Sequence, residues 1–107
     1  MTQIVEIDTQ TLSDWLEEGS ALVIDVREAP ELAEMSLDGA IHVPMSDFKP
    51  EAVPTDSGKK LVFVCAQGMR SFQVGQYMLN QGLVDEAFNL SEGLSAWVQA
   101  GKPFKRG

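Results

Sequence analysis

The sequence predicts an α/β fold, a parallel central sheet with helices on both faces. Two apolar runs, Ala21-Leu-Val-Ile and Leu61-Val-Phe-Val, are continuous rather than alternating, as in strands covered on both sides. Segments with helical spacing stand between and after them, marked by Leu12, Trp15 and Leu16 and by Phe72, Gly75, Met78 and Leu79. Strand and helix patterns alternate along the whole chain, which implies right-handed crossovers and parallel pairing.

In chain order, Gln3 to Glu6 alternates weakly and reads as a short edge strand. Thr9 or Thr11 caps a helix running to about Glu18, with Trp15 in the core and Gly19 as the stop. Ala21 to Asp25 is a buried strand that ends on Asp25-Val26-Arg27, where a strand end delivers polar groups to a site. Pro30 opens a short helix, with Glu31 and Glu34 in its sequence. His42 lies in a short apolar piece before Pro44 and reads as a packed residue. Residues 46–60, with Pro50, Pro54 and Gly58, form a surface connection containing one short helical turn. The strand at Leu61 to Val64 runs into Cys65, a tight loop, and a helix from about Met69 to Asn80 closed by Gln81-Gly82. Ala87 to Leu90 is a further strand. Gly93 to Ala100 is a last helix with Trp97 in the core, closed by Gly101 and Pro103.

The 107 residues suit one compact domain over 1–107, and 44% hydrophobic content suffices for a core. No apolar run approaches the ~20 residues of a membrane span, and the N-terminus lacks the pattern of a signal peptide. These readings predict no membrane partner. One cysteine cannot form an internal disulfide, so a reducing, cytoplasmic setting is the simplest reading. The net charge of −8 argues against nucleic acid as a partner. Residues 1–58 hold 13 acids and 2 bases, whereas residues 59–107 hold 3 acids and 6 bases. The half that contains Cys65 is therefore the basic one, a field that admits a small anion. The alternative for Lys102, Lys105 and Arg106 is a solvated basic tail over about 102–107. With no second histidine, cysteine cluster or carboxylate pair at ligand spacing, no metal site and no cofactor are predicted.

Chemistry concentrates at Cys65-Ala66-Gln67-Gly68-Met69-Arg70-Ser71. A free thiol titrates near 8.5 and is mostly protonated at pH 7. A hundredfold gain in thiolate takes roughly 2.7 kcal/mol, and a helix N-terminus alone gives ~0.3–1. The dipole therefore needs loop N–H groups and the Arg70 cation beside it. A lone cysteine is otherwise commonly a buried structural residue; Gly68 and Arg70 at a strand-to-helix junction favour a reactive one.

The segment Cys65 to Ser71 resembles the active-site loop of rhodanese-like sulfurtransferases. Three more stretches are similar to that family's motifs, in its order: Val23-Ile-Asp25-Val-Arg27-Glu28, Asp38-Gly-Ala-Ile-His-Val-Pro44, and Asn89-Leu-Ser-Glu-Gly-Leu-Ser-Ala-Trp97. The resemblance spans about residues 4–103 and implies a sheet of about five strands. It implies that Asp25 and Arg27 lie near the loop and brace it, Asp25 accepting loop N–H bonds and Arg27 pairing with an acid, although a purely structural ion pair is the simpler role. The chain departs from the family at Met35 to Asp38, where a glycine-histidine pair is usual, and at Glu92-Gly93, where two glycines are usual.

The resemblance implies sulfur transfer: the Cys65 thiolate takes the outer sulfur of thiosulfate or a similar small anionic donor and passes it, as a persulfide, to cyanide, a thiol or a protein. Arg70 holds the donor's anionic end or stabilises the loop. Ser71 caps the helix or donates to sulfur, capping being the simpler role. The alternatives are a persulfide carrier or regulatory module acting with a protein partner, and a phosphatase or arsenate reductase. Related folds with that last chemistry use a longer Cys-x5-Arg loop, whereas Cys65 and Arg70 here enclose four residues.

Overall fold

The computed structural model describes residues 2–106. Met1, part of the N-terminal reading, and Gly107, the end of the basic tail, lie outside them. The chain runs β1 (Val5–Ile7), α1 (Thr9–Glu18), β2 (Ala21–Asp25), α2 (Ala29–Glu34), β3 (Met35–Ser36), β4 (Ile41–His42), two 3-10 turns (Met45–Asp47 and Pro50–Ala52), β5 (Lys60–Val64), α3 (Met69–Asn80), β6 (Phe88–Leu90), α4 (Gly93–Gln99) and β7 (Lys105–Arg106). Five strands form one parallel sheet in the order β1-β6-β5-β2-β4.

The continuous apolar run of β5 serves both faces of this sheet. Leu61, Phe63 and Cys65 pack with Val74, Met78 and Leu79 of α3. Val62 and Val64 pack on the other face with Leu12 of α1 and with Leu94 and Trp97 of α4. Trp97 is buried, whereas Trp15 is half-buried and meets the Phe88 ring edge-on at 4.9 Å between centroids. No helix among the described residues is long and apolar enough to cross a membrane.

The ends of some elements depart from expectation. Asp8, rather than Thr9 or Thr11, caps α1, its carboxylate accepting the Thr11 N–H at 2.8 Å. Aspartate reaches the free N–H groups of a first turn as well as threonine does, so composition alone did not separate them. Residues 46–60 contain one 3-10 turn and the greater part of another rather than a single helical turn. His42 is exposed, not packed; its Nε2 donates to the Arg27 carbonyl at 2.7 Å. The segment that departs from the family pattern forms β3, and β3 pairs antiparallel with β7. Lys105 and Arg106 are thus paired through the backbone while their side chains stay exposed, and Arg106 stacks over Phe104.

Candidate active site

The parallel register places the site. Asp25 pairs with Val64, so the residues leaving β2 and β5 emerge side by side at the carboxyl end of the sheet. From β5 the chain turns through Cys65 to Gly68 and enters α3. Gly68 is the N-cap, with φ +93°. A methyl group there would lie 2.3 Å from the Ser91 carbonyl oxygen, so glycine is required both by the dihedral and by the close approach.

The Cys65 thiol forms the floor of this loop and is 1% exposed. The Gly68 N–H points at Sγ from 3.1 Å, the Ser71 N–H from 3.4 Å, and the Ser71 hydroxyl lies 3.3 Å away. Burial pushes the Cys65 pKa up and is the largest single influence. The Ser71 hydroxyl and the N–H groups of Ser71, Gln67 and Gly68 together outweigh it, leaving the thiol below its ordinary value. Ser71 therefore does not cap α3, as the capping expectation had it. It sits inside the first turn, where its side chain turns down to the sulfur.

Asn89, which the sequence reading did not single out as a site residue, completes the cradle. It is 1% exposed in the middle of β6. Its amide nitrogen donates to Glu6 Oε1 at 2.8 Å and to the Gly68 carbonyl at 3.0 Å. Both partners accept only, so the amide oxygen must face Ser71, whose hydroxyl lies 2.6 Å from it. Ser71 has one proton for two acceptors. The Asn89 oxygen at 2.6 Å and the Cys65 sulfur at 3.3 Å compete for it. A polar residue in a three-residue buried strand was the available signal, because a buried amide needs partners.

The segment after β6 holds the loop from the other side. Leu94 and Ser95, in the first turn of α4, donate their N–H groups to the Cys65 and Ala66 carbonyls at 2.9 and 3.0 Å. Gly93 has φ +72°, and a methyl group there would meet the Ala66 oxygen at 2.3 Å. Glu92 has φ −105° and needs no glycine. It is exposed and lines a polar hollow with Asp8, Thr9, Gln10 and Ser91. Only the second of the two usual glycines is thus demanded by the backbone here.

Asp25 and Arg27 form a buried ion pair at 2.8 Å. Asp25 also accepts the Arg27 backbone N–H at 3.0 Å, so its bonds go to Arg27 and not to the cysteine loop. The guanidinium reaches on to the Met35 carbonyl at 2.9 Å and shares a hollow with Ala66, Leu94, Ser95 and Val98. Arg70 is gripped by Glu31 through two contacts of 2.9 Å each. That pairing holds the Glu31 carboxyl down at about 2 and raises the Arg70 guanidinium further above its already high value. Of the remaining loop residues, Ala66 is half-buried, while Gln67 and Met69 are exposed, Met69 by 73%.

The rhodanese-like domain family model matches residues 8–100. The chain belongs to this family. Among rhodanese-like relatives, a putative sulfurtransferase of Bacillus subtilis, YtwF, is 37% identical over 102 residues, covering 94% of this chain and 97% of its own. A sulfurtransferase of Allochromatium vinosum is 32% identical over 101 residues, covering 92% of each chain. The crystal structure of a thiosulfate sulfurtransferase from Pseudomonas aeruginosa superposes with a TM-score of 0.82 at 28% identity, over 98% of this chain and 20% of that one.

Proposed function

We propose that this chain is a sulfurtransferase that moves a sulfane sulfur from thiosulfate or a similar donor to a thiophilic acceptor through a persulfide on Cys65. The observation that carries this is the convergence of N–H and hydroxyl groups on one buried thiol at a strand-to-helix turn. The Cys65 thiolate attacks the outer sulfur of thiosulfate. The new S–S bond forms as the bond to the sulfonate sulfur breaks, and its electron pair leaves with sulfite. An acceptor such as cyanide, a thiol or a protein thiol then attacks the terminal sulfur, and the Cys65 thiolate returns. The N–H groups of the loop stabilise the negative sulfur in both steps without reorganising. Ala66, Gln67 and Met69 complete the loop, the Ser71 hydroxyl donates a hydrogen bond to the thiolate, and Asp25 with Arg27 braces the neighbouring strand end.

A thiol that is 1% exposed at the floor of a short loop favours transfer of a single atom over attack on a bulky tetrahedral phosphate. A lone free cysteine also suits a reducing compartment, and we place the protein in the cytoplasm. The test is steady-state transfer from thiosulfate to cyanide with no other protein present. Parallel double-reciprocal lines, as a persulfide intermediate requires, support the enzyme. Persulfide formation without turnover to cyanide or small thiols would make the protein a carrier instead. Hydrolysis of an aryl phosphate with no persulfide formed would overturn the reading.

A further inference from the structure

Resting on the sulfurtransferase reading, we infer that Glu31 is a specificity-determining residue: it occupies Arg70 and sets the site against small anionic donors. A donor whose sulfane sulfur sits on an uncharged organic chain escapes that penalty. Two guanidinium groups flank the Cys65 loop, and each is already paired. Arg27 is buried and spent on Asp25 at 2.8 Å. Arg70, the second residue of α3, faces Glu31 with both terminal nitrogens, each 2.9 Å from a carboxylate oxygen. A fork-to-fork pair of this kind presents the geometry that a sulfonate or carboxylate donor would itself seek.

The pair lies at the rim, where a solute reaches it; the two side chains are 36% and 32% exposed. Glu31 is also anchored, because one oxygen accepts the Glu28 N–H at 2.9 Å and so ties the carboxylate to the first turn of α2. Protonation does not release it, since the Arg70 hydrogen bonds hold its carboxyl at about 2. An anionic donor must therefore displace a fixed carboxylate or approach a cation already neutralised. Either route weakens binding and leaves the reaction at sulfur untouched.

The experiment compares alkylation of Cys65 by iodoacetate and by iodoacetamide at low ionic strength. The reagents differ in one negative charge, and both consume thiolate, so the ratio of their rates cancels any change in thiol ionisation. Glu31→Gln keeps an oxygen for the Glu28 N–H and removes the charge. It should raise the iodoacetate-to-iodoacetamide ratio by up to about fivefold, the upper end for a solvent-exposed ion pair. The gain should shrink in ~1 M salt, where charges are screened within about 3 Å. Arg70→Gln should bring the ratio to the wild-type value or lower, and the double variant should show no gain. For sulfur transfer, Glu31→Gln should lower KM for thiosulfate by a similar factor with kcat unchanged. Equal ratios in wild type and a folded Glu31→Gln variant would overturn the inference. A raised ratio with no persulfide formed from thiosulfate in either protein would leave Glu31's control of anions standing and bring down the sulfurtransferase reading.

Discussion

Replacing Gly68 by alanine tests whether the close approach of the cysteine loop to β6 is what aims its N–H groups at the sulfur. The added methyl carbon would lie 2.3 Å from the Ser91 carbonyl oxygen, 2.9 Å from the Ser91 carbonyl carbon and 3.0 Å from the Leu90 oxygen. All three are backbone atoms, and the Ser91 N–H is itself bonded to the Ile7 carbonyl at 3.0 Å, so the neighbour has little room to yield. A non-glycine residue in the left-handed region costs about 1–2 kcal/mol, and overpacking adds about 1–3. The sum, about 2–5 kcal/mol, is a large part of the ~5–15 that stabilises a domain. At this chain length it corresponds to a fall in Tm of roughly 10–20 °C. Gly58→Ala is the control: φ is +77°, but nothing lies within 4 Å of the added carbon, so only the dihedral cost applies. If the loop retreats to relieve the clash, the 3.1 Å bond from the Gly68 N–H to Sγ lengthens and the thiolate loses a donor. Thermal unfolding and the pH dependence of iodoacetamide alkylation read the two consequences. Equal melting of the two variants, with the wild-type alkylation profile kept in Gly68→Ala, would refute the reasoning.

Further outcomes follow from the same contacts. Cys65 should be alkylated with a midpoint below that of an ordinary thiol, and Ser71→Ala should move the midpoint up, because the thiolate then loses the hydroxyl that lowers its pKa. The folded thiol titrates below the unfolded one, so ionisation of Cys65 stabilises the fold. That contribution is complete above the unfolded pKa and is lost as pH falls through the folded one; Cys65→Ser should remove this slope from stability measured across that window. Asp25→Ala strands the buried Arg27 charge and should cost about 3–5 kcal/mol in denaturant unfolding. The double variant Asp25→Leu/Arg27→Met should recover much of that loss, since no charge remains unpaired.

The parts of the fold set by neighbours in sequence were legible. The run Leu61 to Val64 is apolar at every position because it faces α3 on one side and α1 and α4 on the other. Cys65 and Gly68 sit where a strand must turn into a helix, and that local pattern marked the candidate loop. What escaped the reading was which partner each polar side chain takes, whether that partner is near or far along the chain. Arg70 reads in sequence as a cation waiting for an anion, yet Glu31, 39 residues earlier, already holds it. Ser71 reads as a cap because serine often is one, but the left-handed Gly68 takes the cap position and turns the hydroxyl to the sulfur. Asp25 accepts from Arg27, two residues on, because both are buried and no other described cation pairs with it at salt-bridge distance. Lys105 and Arg106 are exposed, as a solvated segment would be, but their backbone pairing with Met35–Ser36, about seventy residues away, carries no sequence signal.

The most direct measurement of the central claim is intact-protein mass spectrometry after incubation with thiosulfate. Wild type should gain the mass of one sulfur atom, lose it on adding cyanide as thiocyanate appears, and yield a labelled peptide containing Cys65. Cys65→Ser should gain nothing and release no thiocyanate, because serine cannot form the persulfide. Thiocyanate production by Cys65→Ser at the wild-type rate would contradict the account.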